Sequence, residues 1–411
     1  MDFNLLLIIG GASAIAFYMA WSIGANDVAN SMATAVGAKA ITFKQAVIIA
    51  GFLSFVGAVF VGPHVAETIK GKIININVIS PETLLLGFIS SLLAAAIWVT
   101  ISTWKEMPIS TTHSIIGALM GFGIISCGVS SVNWGQVGFV AASWVLSPIA
   151  GCILAFLIFK IIVKLIFSKD DPVKSAKIVG PIIIGFTAFI ITSSLLLKTS
   201  LSKRFDISDI EGVIIAIIVS IIVGALGIYL LRNIKAKKVE DYLTVEGIFR
   251  KLQIITSCYV AFSHGANDVA NAIGPVAGII PLASNGIMSV KADIPTALLA
   301  LGGIGIAIGC ITWGHKVMKT VGERITILTH TRGFSVEFAA ATTVLTASKL
   351  GLPISTSHTV VGAVIGVGLA RGLEAVDLSV IKKIVVSWLL TLPIAAITSI
   401  TIYLILRTII I

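Results

Sequence analysis

One seven-residue string occurs twice in this chain: Gly-Ala-Asn-Asp-Val-Ala-Asn spans residues 24–30 and recurs, letter for letter, at residues 265–271. Each copy carries one carboxylate and two carboxamides into strongly apolar surroundings, Asn26, Asp27 and Asn30 in the first and Asn267, Asp268 and Asn271 in the second. Such groups are costly there and usually functional. Their oxygens are the donors that hard cations prefer. A second pair of blocks supplies hydroxyls, Pro-Ile-Ser-Thr-Thr-His-Ser at 108–114 and Pro-Ile-Ser-Thr-Ser-His-Thr at 353–359. Each joins two apolar segments with no room for a solvent loop, and proline suits the first turn of a helix. Ser110, Thr111, Thr112, Ser355, Thr356 and Ser357 are therefore expected at the tips of helical hairpins, where helix N-termini attract anions. Ser143-Trp144 and Ser387-Trp388 form a third pair. Three blocks at a nearly constant offset identify an internal duplication.

None of the four motif cores contains Lys or Arg. An anion bound there is held by N–H groups, hydroxyls and helix ends, beside two aspartates that repel it. Co-bound cations or protonation of the aspartates relieves the conflict, and either couples the anion to a cation gradient. Lys105 and Lys349, just before the two prolines, are expected at the membrane surface, where long basic side chains snorkel. His113 and His358 read as hydrogen-bonded structural histidines. Gly117 and Gly121, with Gly362 and Gly366, form small-xxx-small packing faces. The Met and Trp residues show no cofactor pattern and read as lipid-facing or interfacial. A hydrolase would use Ser110 or Ser355 as nucleophile and His113 or His358 as base. Such a site has no need of two like copies on opposite faces, so the chain is read as a carrier, not an enzyme.

The elements that position these blocks follow from composition. At 411 residues, 57% hydrophobic, 12% charged and mean hydropathy +1.05, the chain is too apolar for a soluble globular protein and reads as an integral membrane protein. The net charge of +10 reports membrane topology rather than nucleic-acid binding. The four cysteines, Cys127, Cys152, Cys258 and Cys310, lie in apolar stretches without paired or metal-ligand spacing and read as small packing residues.

The fold class is all-α and polytopic, with about 12 transmembrane helices in two inverted-topology repeats with re-entrant helical hairpins. Segments fall near 3–21, 43–62, 82–104, 108–128 and 134–160, then 178–197 and 212–231, then 248–266, 294–313, 334–351, 353–370 and 381–406. The segment 3–21 lacks a basic n-region and is read as a retained first helix, not a signal peptide. Domains are read as repeat 1 at 1–166, a linker pair at 167–247 and repeat 2 at 248–411. Basic clusters flank the linker pair, Lys160, Lys164, Lys169, Lys174 and Lys177 before it and Arg232, Lys235, Lys237, Lys238, Arg250 and Lys251 after it. Both are expected to be cytoplasmic, with the turn Lys198–Glu211 outside. An odd number of crossings in each repeat then gives the halves opposite orientation.

These residues resemble the inorganic phosphate transporter (PiT) family, the sodium- or proton-coupled phosphate carriers, over essentially the whole chain. The resemblance rests on the paired Gly-Ala-Asn-Asp-Val-Ala-Asn blocks, the paired Pro-Ile-Ser-Thr blocks and the spacer between the halves. It implies a cation-coupled symporter of inorganic phosphate, with sodium as the leading coupling ion, commonly a homodimer in the plasma membrane, or the cytoplasmic membrane of a prokaryote. Proton-coupled phosphate or sulfate permease and passive anion channel are the alternatives. Carried over, Asp27, Asn267, Asp268, Ser110, Thr111, Thr112, Ser355, Thr356 and Ser357 line the phosphate site. Asn26, Asp27, Asn30, Asn267, Asp268, Asn271, Thr111 and Thr356 serve sodium. Animal members resemble this chain around Ser54 and Phe88 but have glutamate at each place; the C-terminal counterpart, Glu337, is kept here.

Overall fold

The structure is a computed structural model that describes residues 3–76, 79–197, 205–232, 241–285, 294–318, 328–372 and 377–410, with positions 202 and 234. Part of the Lys198–Glu211 turn, and Lys235, Lys237 and Lys238 of the second basic cluster, lie outside the described residues. The chain is all-α, and the described residues form no strand beyond a single bridge between Ile74 and Val132. The helices are α1 (Phe3–Gly37), α2 (Phe43–Val61), α3 (Pro63–Gly71), α4 (Pro81–Trp104), α5 (Thr111–Cys127), α6 (Trp134–Ile162), α7 (Pro172–Leu196), α8 (Asp209–Leu231), α9 (Asp241–Asn285), α10 (Thr296–Trp313), α11 (His330–Lys349), α12 (Thr356–Arg371) and α13 (Leu378–Ile410).

Local chemistry sets many of the boundaries. Thr42 with Gln45 and Ser208 with Glu211 form capping boxes at the starts of α2 and α8, satisfying N–H groups that a helix start leaves without partners. Ser80 before Pro81, and Asp171 before Pro172, combine a side-chain cap with a proline in the first turn. Ser110 and Ser355 cap α5 and α12, each accepting the N–H three residues on. Both hairpins turn on a residue in the left-handed region, Glu106 at φ 58° and Gly351 at φ 69°. Only glycine adopts that region without steric cost.

The twelve expected segments correspond one to one with the helices other than α3, but two are far longer than expected. α1 and α9, of 35 and 45 residues, run straight through the duplicated motif instead of stopping before it. The string holds no proline, and tertiary packing carries the helix through its glycine, valine and asparagines, which are weak helix formers. The boundary expected at residue 248 therefore falls inside α9. Eight described helices are long and apolar enough to cross a membrane. α9 and α11 fall short of that measure because of the amides, hydroxyls and charges they carry, while α5 and α12 are only 17 and 16 residues long. α7 and α8 lie at the rim: only 11% of the most apolar window of α8 is buried, and Ile214, Ile218, Ile221 and Ile222 face outward, as lipid contact requires.

The two halves are interleaved. α1 packs on α10 while α9 packs on α2, and α5 packs on α13 while α12 packs on α6. Glycine permits the close approaches. A Cβ on Gly24 would collide with the backbone of Ile306, and one on Gly265 with that of Ser54. Gly117 and Gly121 lie against Leu392 and Ala396 of α13, and Gly362 and Gly366 against Pro148 and Cys152 of α6. The small-xxx-small faces thus join each hairpin to the final helix of the opposite half. Cys310 is buried as expected, whereas Cys127 is exposed at the end of α5.

Gly117→Val and Gly362→Val should each destabilise the fold by about 1–3 kcal/mol, the usual cost of overpacking. Thermal denaturation of the purified protein should show both melting earlier than Gly138→Val, since no atom lies within 4 Å of a Cβ built on Gly138, an exposed position of α6.

Candidate functional site

The long helices α1 and α9 place their Asn-Asp blocks at the centre of the protein, and the two hairpin tips close on them. Asp27, Asp268, Asn26, Asn30, Asn267 and Asn271 are all buried, as are the six hydroxyl residues of the tips. One Asp27 oxygen accepts from Thr111 Oγ1 at 2.8 Å. The other accepts from Asn30 Nδ2 at 3.0 Å and lies 3.4 Å from Ser357 Oγ, whose one hydrogen it shares with the Ile109 carbonyl. Asp268 is held in the corresponding way, by Thr356 Oγ1 at 3.1 Å, Asn267 Nδ2 at 2.9 Å and Asn271 Nδ2 at 3.4 Å.

Asn30 and Asn271 reach across to the hairpin of the opposite half. Asn30 Nδ2 donates to Ser357 Oγ at 2.8 Å, and Asn271 Nδ2 to Thr112 Oγ1 at 3.1 Å. The tips also bind each other: Thr112 donates to the Ile354 carbonyl at 3.2 Å and Ser357 to the Ile109 carbonyl at 3.0 Å. Asn26 and Asn267 instead tie each motif to the hairpin of its own half. Asn26 Nδ2 donates to the Met107 carbonyl at 3.1 Å, and Asn267 Nδ2 to that of Ile354 at 3.0 Å. Asn26 and Asn30, four residues apart on one helix, thus serve opposite hairpins. Ser110 and Ser355 sit at the site but use their Oγ lone pairs as helix caps.

Sequence reasoning missed His264. A ligand atom from each of Asp27, His264 and Asp268 lies within 4.8 Å of the other two, with His264 Nε2 3.4 Å from Asp268 Oδ2. Ser54 Oγ donates to the Ala261 carbonyl at 3.0 Å and meets His264 Nδ1 at 3.2 Å. His264 thus faces Ser54 through Nδ1 and the carboxylates through Nε2. The signal in the sequence was slight: His264 directly precedes the second motif, where the first has Ile23.

Glu337 occupies a second buried polar cluster. It accepts from Thr34 Oγ1, from Thr256 Oγ1 at 2.6 Å and from Gln253 Nε2 at 3.3 Å. Gln253 Oε1 in turn meets His330 Nδ1 at 3.0 Å. Thr34 lies one turn beyond Asn30, so α1 serves both clusters. None of these partners stood out in the sequence.

The motif histidines and tryptophans differ from expectation. His113 and His358 stand in a row of four rings in the order Trp144, His113, His358, Trp388, with centroids 3.8, 4.5 and 3.6 Å apart; the first contact is tilted, the second edge-on and the third stacked. Both nitrogens of His113 lack a partner, and His358 Nδ1 meets the Trp144 carbonyl at 3.3 Å. Trp144 and Trp388 are buried in this row instead of facing lipid. The reason is tertiary: the interleaving of α5 and α12 with α13 and α6 brings four repeat-related rings together, and aromatic pairs favour both offset-stacked and edge-to-face contacts. Lys349 also departs from expectation, being half-buried with Nζ donating to the Leu197 carbonyl at 2.6 Å.

Fold and site together define a polytopic α-helical membrane carrier with one polar site assembled from both halves of a duplicated chain. The chain belongs to the phosphate transporter family, whose model matches residues 23–399; it is a family of transporters, not of enzymes. A relative from Thermococcus kodakarensis, named as a candidate phosphate permease, is 51% identical over 386 residues, covering 94% of each chain. The chloroplastic inorganic phosphate transporter 2-1 of Arabidopsis thaliana is 42% identical, over 92% of this chain and 69% of the relative. A solved structure titled the sodium-dependent phosphate transporter is 48% identical and superposes with a TM-score of 0.93, covering 98% of this chain and all of that one.

Asp27→Asn and Asp268→Asn should each cut phosphate transport severely, roughly a hundredfold or more, while expression and detergent-extracted monodispersity stay at wild-type levels. The amide keeps the shape but gives up the charge. Labelled-phosphate uptake into vesicles measures the loss, and normal uptake by both variants would place the central site elsewhere.

Proposed function

We propose that this protein is a secondary active symporter that moves inorganic phosphate with sodium by alternating access at the site between its two halves. The observation that carries the reading is the pair Asp27 and Asp268, buried within one constellation whose hydrogen-bond donors are hydroxyls and amides with no Lys or Arg. Two carboxylates so placed repel each other and any phosphate brought near them. Sodium relieves both repulsions, and carboxylate, carboxamide and hydroxyl oxygens suit a hard cation. Asn26, Asn30, Asn267, Asn271, Thr111 and Thr356 join the aspartates as its ligands. Phosphate takes the neighbouring donors, Thr112, Ser357 and the N–H groups that the starts of α5 and α12 leave outside the helical ladder.

The interleaved packing supports two repeats of opposite orientation, 1–166 and 248–411, joined by the linker pair 167–247, with hairpins α4–α5 and α11–α12 re-entering the bilayer from opposite faces. Movement of one hairpin at a time exposes the site to one face at a time, as in other carriers built from inverted repeats. The similarity to a sodium-dependent phosphate transporter favours sodium over protons, and family resemblance favours a homodimer in the plasma or cytoplasmic membrane.

Purified protein in sealed vesicles should accumulate labelled phosphate above its equilibrium level when sodium is high outside, and lose that uptake when choline replaces sodium at clamped pH. Equal accumulation in choline would transfer the coupling to protons. Flux that never exceeds equilibrium would make the protein a passive channel, and equal competition by sulfate would broaden its substrate to tetrahedral oxyanions.

A further inference from the structure

The two hairpin tips each border a cavity that shares a wall with the central site. At the tip of α4–α5 a cavity of about 420 Å³ is lined by Lys105, Glu106 and Met107 together with Lys383 and Ser387 of α13. Met107 is the residue whose carbonyl accepts Asn26. At the tip of α11–α12 a cavity of about 340 Å³ is lined by Ser143 and Ser147 of α6, by Thr342, Thr343 and Thr346 of α11, and by Ile354. The Ile354 carbonyl accepts Asn267 and Thr112. Duplication relates the two spaces, since Ser143 and Ser387 begin the repeated Ser-Trp pair and Met107 and Leu352 directly precede the repeated prolines.

Their chemistry differs. The second cavity has hydroxyls and no ionisable lining residue. Its nearest lysine, Lys349, directs its ammonium to the Leu197 carbonyl at the end of α7. The first cavity presents two lysines, both exposed. Of the acids near it, Glu106 is part of its rim, and Asp377, which caps α13 by accepting the N–H groups of Ser379 and Val380, also lies within reach of the Lys383 charge. Two ammonium groups at the mouth of a low-dielectric cleft raise the local concentration of an oxyanion, and lysine binds phosphate as a point charge without demanding one geometry.

We infer that the cavity between the α4–α5 tip and α13 is a second oxyanion site, in which Lys105 and Lys383 hold a phosphate group between the central site and one face of the membrane. The site serves free inorganic phosphate in transit; this rests on the transport reading above. It makes the pathway electrically lopsided, with phosphate meeting fixed positive charge at one mouth and only hydroxyls at the other.

The test uses full-length protein in neutral phosphatidylcholine vesicles, prepared in each of the two orientations, with phosphate uptake measured from both faces. Lys105→Gln and Lys383→Gln should each raise the phosphate KM at the α4–α5 face about threefold, the effect of an exposed charge contact, and the double variant about tenfold. In all of them kcat and the KM at the opposite face stay unchanged. Lys105→Arg and Lys383→Arg should keep the wild-type KM, and Glu106→Gln should lower it about twofold. Unchanged KM values at both faces, or equal rises at both, would overturn the assignment. So would a shift that appears only when anionic phosphatidylglycerol is added, because the lysines would then be holding lipid headgroups. Wild-type uptake in the same vesicles separates the two readings: without it the transport reading itself falls, and with it only the second site is at stake.

Discussion

Two carboxylates buried in one site govern this structure. Ligand atoms of Asp27 and Asp268 lie within 4.8 Å, where like charges repel by roughly 3–4 kcal/mol even at an effective dielectric constant of 20. Burial adds a desolvation cost to each charge. The protein meets this with neutral donors: a threonine, a serine and an asparagine on Asp27, and a threonine and two asparagines on Asp268. Neutral hydrogen bonds hold the carboxylates in position without cancelling their charge. In the proposed symport, that retained charge is what a co-transported cation offsets, making room for an anion beside it.

The rest of the architecture delivers those donors. Thr111 reaches Asp27 from the same half of the chain, Ser357 reaches it from the other, and Asn30 and Asn271 cross between halves. Neither half contains a complete site. The close approaches at Gly24 and Gly265, and those of the glycines of α5 and α12 against α13 and α6, hold the halves together as one unit. Close packing of small residues is the force available for this in a membrane, where apolar burial offers little preference for helix over lipid.

Duplication has nevertheless left the two halves unequal. His264 stands where the first half has Ile23, so the imidazole of the site comes from the second half alone, 3.4 Å from Asp268. Lys349 is moored to the linker pair while Lys105 opens into a cavity. A carrier made of two identical halves would have two equivalent faces; these substitutions give each face its own chemistry at small cost to the shared packing.

The sequence alone determined the all-α membrane class, the duplication, the twelve long segments and the identity of the aspartates, asparagines and hydroxyls at the centre. Those features are local: apolar run length, exact repetition, and polar residues in an apolar setting can be read without knowing what touches what. Only the tertiary structure decided which hairpin each asparagine serves, because Asn26 and Asn30 share a helix face and diverge only through partners 80 to 330 residues away. It also decided the roles of His264, Gln253 and Thr256, single residues without a repeat to mark them, and it packed Trp144 and Trp388 against the histidines where composition pointed them at lipid. Helix length and residue type are written along the chain, whereas contacts between helices depend on how the two halves interleave, and no one-dimensional pattern encodes that.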